Sequence, residues 1–161
     1  MLNFIKRFIR DHKGVAAVEF ALYLPMLLIM VVGMSEVGFA IVQSTIVEKS
    51  LRSGAIYAAR SELPLTTTAQ TKIANIVKNG NMTGSGDYLI SGWSSTDASL
   101  SITVSNYTIS ADSSVLGSNQ LPVITITARV PYLPIFGTLM NQFGMGGYMI
   151  TLSHEQAHFG V

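Results

Sequence analysis

The sequence predicts an α+β protein: one long N-terminal helix followed by a small antiparallel β-sheet. Three observations predict it. Sixteen uncharged, mostly apolar residues, Phe20 to Ser35, follow a basic head. From Gln43 the apolar residues recur at three- and four-residue spacing, the period of a helix with one buried face. From Leu100 they recur at every second residue, the period of a half-buried strand. A length of 161 residues suits one compact domain with an appended segment.

Composition narrows the function classes. Hydrophobic residues make up 48% and charged residues 12%, against about 25% charged in an ordinary soluble domain. That balance argues against a cytosolic enzyme and excludes disorder as a description of the whole chain. A net charge of +1 argues against a dedicated nucleic-acid binder, so no nucleic-acid partner is expected. Cysteine is absent, which removes disulfides, thiolate metal sites, a cysteine nucleophile and a lipid-anchoring cysteine.

The charges are unevenly placed. Lys6, Arg7, Arg10 and Lys13 stand against Asp11 in residues 1–14, while the other 147 residues hold six Lys or Arg and eight Asp or Glu. A basic head before an apolar span keeps the N-terminus cytoplasmic and sends the rest across the bilayer.

Residues 15–40 are long enough to span, since crossing takes about 20 mainly apolar residues. Glu19 lies near one end of that span. The helix continues in water over residues 41–62. Ile46, Val47, Leu51, Ala55, Ala58 and Ala59 form its apolar face, with Glu48, Lys49, Arg52 and Arg60 between them. Leu63-Pro64 is its stop. A continuous helix over 15–62 is about 70 Å long at 1.5 Å per residue. Pro25 removes one backbone hydrogen bond and should bend it.

Residues 66–79 predict a short second helix ending at Gly80, and residues 79–86 a loop. Leu100, Ile102 and Val104 mark one strand. Ile124, Ile126, Ala128 and Val130 mark another, ended by Pro131 and Pro134. Tyr148, Ile150 and Leu152 mark a third, and Tyr88–Trp93 reads as a further strand. The four glycines of residues 137–147 predict an irregular connection. The sheet should pack on the amphipathic half of the helix, whose apolar face otherwise has no cover. The expected organisation is a basic leader over 1–14, the long helix over 15–62 and an extracytoplasmic head over 63–161.

The most informative stretch is Lys13-Gly14-Val15-Ala16-Ala17-Val18-Glu19-Phe20. A charge inside a membrane segment is costly and is usually functional or close to the interface. Cleavage after Gly14 would create an ammonium on Val15, which Glu19 of a neighbouring subunit could pair with as helices stack. In the simpler reading, Glu19 sits at headgroup level on an uncleaved anchor.

Residues 14–60 resemble the TadE-like family of pseudopilins from tight-adherence (Flp-type) type IV pilus systems. The resemblance is carried by Gly14 through Leu22, by Leu24-Pro25-Met26-Leu27-Leu28, by Gly33 and Glu36-Val37-Gly38, and by Leu51 through Ala59. Val37 stands where the family pattern has Phe, and Ile56 where it has Arg. The resemblance implies a type IV pilin-like fold. It also implies that a prepilin peptidase cuts between Gly14 and Val15, and that Glu19 with Phe20 guides subunit docking. The chain is then a peptidase substrate and not an enzyme, needing no cofactor. It would act as a minor pilin in the bacterial inner membrane and could enter the extracellular pilus. Its partners would be other pseudopilins or the major pilin, the inner-membrane assembly platform and the lipid bilayer. Gly33 and Gly38 allow close helix approach beside Pro25, or are simply the glycines common in membrane helices. Glu36 reads as a solvated charge where the span leaves the bilayer.

His154-Glu155-Gln156-Ala157-His158 matches the zinc-protease pattern His-Glu-x-x-His, which works on a helix. Here a strand pattern precedes it, three residues follow it, and no third ligand lies downstream, so no metal is expected. Asn81-Met82-Thr83 and Asn106-Tyr107-Thr108 fit the glycosylation sequon, which matters only where that machinery exists. The rival to the pilin reading is a secreted or membrane-anchored periplasmic binding module with an ordinary signal or anchor segment, cut after Ala40 where Gly38-Phe39-Ala40 offers small residues.

Overall fold

The computed structural model describes residues 14–108, 120–137 and 147–160. Its elements are α1 (Val15–Ala59), α2 (Thr67–Asn79), a short 3-10 turn (Ser91–Ser94), β1 (Ser99–Thr108), β2 (Gln120–Pro131) and β3 (Met149–Ala157). The architecture is the α+β one: a long N-terminal apolar helix, then an antiparallel three-stranded sheet. The chain divides into two compact units between Gly38 and Phe39, so the second part of α1 belongs with the head.

In the head, Val47, Leu51, Ala55 and Ala58 of α1 are fully buried or nearly so, as their spacing predicts. They share one core with Ile73 and Val77 of α2 and with Ile124, Ile126, Ala128 and Val130 of β2. One face of α1 thus packs against both α2 and the sheet. Gly54 marks the tightest approach: a methyl group there would meet Val77 Cγ2 at 2.7 Å, Ile73 at 3.5 Å and Ile126 at 3.6 Å.

α1 ends at Ala59, three residues before the expected stop. Arg60 and Ser61 fold into a turn on the carbonyls of Tyr57 and Ala58, and the Ser61 hydroxyl donates to Tyr57 O at 2.9 Å. The backbone N–H of Phe159 donates to Ala59 O at 3.3 Å. The last carbonyls of the helix are satisfied from outside it, which ends it early. α2 is capped at its start by Thr66, whose side chain accepts from Ala69 N, and at its end by Gly80 with φ 75°. A left-handed residue at that place favours glycine.

β2 is the central strand, flanked antiparallel by β1 and β3. One face carries Ile124, Ile126, Ala128 and Val130, opposite Val104, Ile102 and Leu100 of β1 and Gln156, His154, Leu152 and Ile150 of β3. The other face carries Thr103, Thr125, Thr127, Ser153 and their polar neighbours, which is the alternation of a half-buried sheet.

Tyr88–Trp93 is not a strand. Ser91–Ser94 form the 3-10 turn, with Trp93 N donating to Ile90 O at 3.3 Å. Gly92 is pressed against the Pro131 carbonyl and Val130, and Trp93 is buried in the core. Side-chain burial from a turn replaced the alternation of a strand. Glu36 also departs from expectation. It is 2% exposed rather than solvated. Seven residues before Gln43 and eleven before Val47, it lies on the same face of α1 as those two.

Candidate functional site

The first part of α1 is a long exposed apolar surface. An 18-residue window within α1 has mean hydropathy 2.3, and none of it is buried. Val18, Phe20, Leu22, Met26, Met30 and Val31 are each more than half exposed. By length and composition α1 can cross a bilayer.

The residues expected to act there fall as follows. Gly14 immediately precedes α1, and Val15 is its first residue. Glu19 and Phe20 are exposed one turn further on, so Val15 and Glu19 share a face. Pro25 lies inside the helix, which runs through it without interruption. At Gly33 and Gly38 an added Cβ would meet nothing within 4 Å. Among the described residues, then, no neighbour makes either position need glycine. What this surface offers chemically is apolar contact along its length and one carboxylate near its start.

The His-Glu-x-x-His stretch lies on β3 and its end, not on a helix. Four residues along an extended chain cover about 13 Å, too far for two ligands of one zinc ion. Glu155 points to the other sheet face from His154, and its carboxylate accepts from Thr125 Oγ1 at 3.5 Å. Both ring nitrogens of His158 are engaged. Nε2 lies 2.8 Å from Ser61 O, and Gly160 N donates to Nδ1 at 3.2 Å. Since a carbonyl only accepts, this pattern puts the ring proton on Nε2. The motif ties the C-terminus to the end of α1.

Asn81 is also occupied. Its Nδ2 donates to Ser85 O at 2.7 Å and to Asn79 O at 3.2 Å, while its Oδ1 accepts from Thr83 Oγ1 and Ser85 N. This side chain shapes the 80–86 loop. A shallow groove of about 580 Å³ between the end of α1 and the start of α2 is lined by Tyr57, Arg60, Glu62, Thr66 and Lys72 among others. Its mixed charges single out no ligand. Sequence reasoning did not foresee the burial of Glu36, which read as a solvated charge where the span leaves the bilayer, or of the side-chain oxygen of Gln43.

A single long apolar helix that leads into a small α+β head defines a protein of the membrane-anchored class. A family model described as TadE-like protein matches residues 14–55. The segment that carries the exposed apolar surface is therefore TadE-like, as the motifs of residues 14–59 implied. The match connects the chain with tight-adherence pilus assembly in general. No curated protein and no solved structure matches the chain.

Proposed function

We propose that the chain is a minor pilin of a tight-adherence type IV pilus, cut by a prepilin peptidase between Gly14 and Val15. The mature protein begins at Val15, with residues 15–40 in the inner membrane and the head outside. It then joins other pilins by packing α1 into a helix bundle. Glu19 pairs with the Val15 ammonium of a neighbour, Phe20 flanks that contact, and Gly33 and Gly38 let backbones approach closely. The head is the part that partners and the assembly platform meet.

The observation that carries this reading is the extent of the TadE-like match: residues 14–55 take in all of α1 but its last four residues, and with it the exposed apolar part of that helix. The rival, cleavage after Ala40, would cut α1 in mid-course. Ser44 Oγ donates to Ala40 O at 2.9 Å and Thr45 Oγ1 to Ile41 O at 2.9 Å, within an uninterrupted helix.

The test is the N-terminal mass of the protein purified from its own membranes. A chain starting at Val15 supports the pilin reading. A start after Ala40 supports the secreted module, and a start at Met1 leaves a plain anchored protein.

A further inference from the structure

We infer that β1 is the edge at which two copies of this chain join, β1 of one copy pairing antiparallel with β1 of the other and filling a groove beside it. β1 is an outer strand of the sheet, whose order is β1-β2-β3. In an antiparallel ladder every second residue turns its N–H and C=O away from the partner strand. Among the described residues, β1 pairs with β2 alone, and no turn or loop sends it a backbone hydrogen bond. Such a row of donors and acceptors is a template for a further strand.

Edges that stay single are guarded by charge, proline or a bulge. β1 has none of these. Ser99–Thr108 contains no Asp, Glu, Lys, Arg or Pro, and its ten residues pair one for one with residues 120–129. β3, at the opposite edge, carries Glu155.

The core face of β1 is also left half wet. Ile124 of β2 is fully buried, yet Val104, its cross-strand partner, is 43% exposed. Ile102 is half-buried. Beyond these two side chains the face continues as a groove of about 490 Å³, walled by Leu63, Pro64 and Leu65 from the segment between the helices. A strand added at this edge lays every second side chain into that groove. Those side chains must be apolar, because a charge there would be buried without a partner.

A second copy of β1 meets this requirement. Its core face presents Leu100, Ile102 and Val104 at alternate positions. β2 has both edges taken, and β3 would bring His154 and Gln156 into the groove. With a two-fold axis at Thr103, Ile102 of one copy stands opposite Val104 of the other, and Ser101 opposite Ser105. The same patch serves both copies, so the contact closes at two. The inference concerns the head and stands whether or not the chain is a pilin.

One strand pair is a small interface, so trapping in the protein's own membranes is the suitable readout. The chain has no cysteine, and one introduced cysteine reports one contact. Thr103→Cys on β1 and Thr151→Cys on β3, both exposed positions, would be made in the full chain and treated with a short bis-maleimide crosslinker. The expected result is a species of twice the chain's mass from Thr103→Cys and none from Thr151→Cys. Adding Val104→Lys, a charge on the groove side, should abolish it while Trp93 emission stays that of the parent. Ser101→Cys and Ser105→Cys chains expressed together should link to each other more than either links to itself, and this comparison needs no disruptive variant. No product at Thr103, equal products at Thr103 and Thr151, or a product that survives Val104→Lys overturns the strand pairing. A Thr103→Cys product of another mass puts a different protein on the edge and overturns the self-association.

Discussion

Gly54 of α1 faces Val77 of α2 across a gap that has no room for a methyl group: a Cβ on Gly54 would stand 2.7 Å from Val77 Cγ2. Glycine in a helix interior costs about 1 kcal/mol relative to alanine, and overpacking a core costs typically about 1–3 kcal/mol. The valine side chain is stiff at χ1, so it gives way poorly. Gly54→Ala should therefore lower stability by up to about 2 kcal/mol net. In a Val77→Ala background the collision is gone, and the same substitution should become stabilising. Thermal unfolding of the four chains of this cycle checks the reversal of sign.

Gly92 is the stricter case. A Cβ there would collide with the Pro131 carbonyl, which is backbone, and approach Val130 Cγ1 to 2.7 Å. Backbone cannot swing aside as a side chain can. Gly92→Ala should cost about 3 kcal/mol, the upper end of overpacking penalties. Trp93 fluorescence should report the loss, because the turn that buries the indole is the part displaced.

These two glycines show what was legible and what was not. Periodicity placed the buried face of α1 from Val47 to Ala58 and the core faces of the three strands, because each element buries one face and leaves the other wet. The same logic failed at Tyr88–Trp93. There a buried tryptophan sits on a turn, and the reason lies in Gly92 fitting under Pro131, some 40 residues away in sequence. It failed again at the end of α1, where Phe159 and His158 supply the partners that stop the helix. Contacts made across long separations leave no local pattern to read. The membrane-entrance motif was legible because its logic is local: a glycine, an apolar helix and one carboxylate within six residues.

His158 should prove structural. His158→Ala removes the 2.8 Å bond to Ser61 O and should cost about 1 kcal/mol. It should also make the C-terminus more sensitive to protease. Zinc or a chelator should leave the melting temperature of the parent chain unchanged, since both ring nitrogens already have partners. A zinc-dependent rise in melting temperature that His154→Ala abolishes would contradict this.

Gly33 and Gly38 separate folding from assembly. Nothing among the described residues lies within 4 Å of a Cβ at either position, so Gly33→Leu and Gly38→Leu should leave the melting of the head unchanged. If these glycines are where neighbouring helices meet, the larger side chain should still reduce pilus number, because backbones can no longer approach. Electron microscopy of cells carrying each variant gives the count. Normal piliation by both would assign the glycines to the lipid-facing side.

Glu19 tests the docking mechanism most directly. It is exposed on α1 one turn after Val15, and the head core contains no residue near it in sequence, so Glu19→Ala should insert and fold as the parent does. What it should lose is the partner for a neighbour's Val15 ammonium. A charge pair shielded from water is worth far more than an exposed one, so the defect should be near-complete loss of incorporation into assemblies, read by crosslinking or co-purification with the other pilins. Glu19→Asp keeps the charge and should restore part of it, whereas Glu19→Gln should not. Gly14→Ala acts a step earlier: it should slow processing and let the uncut precursor accumulate on an immunoblot. The order of the two defects carries the argument. Glu19→Ala must yield a processed chain that fails to assemble, because an uncut Glu19→Ala chain would place this carboxylate in peptidase recognition and not in docking.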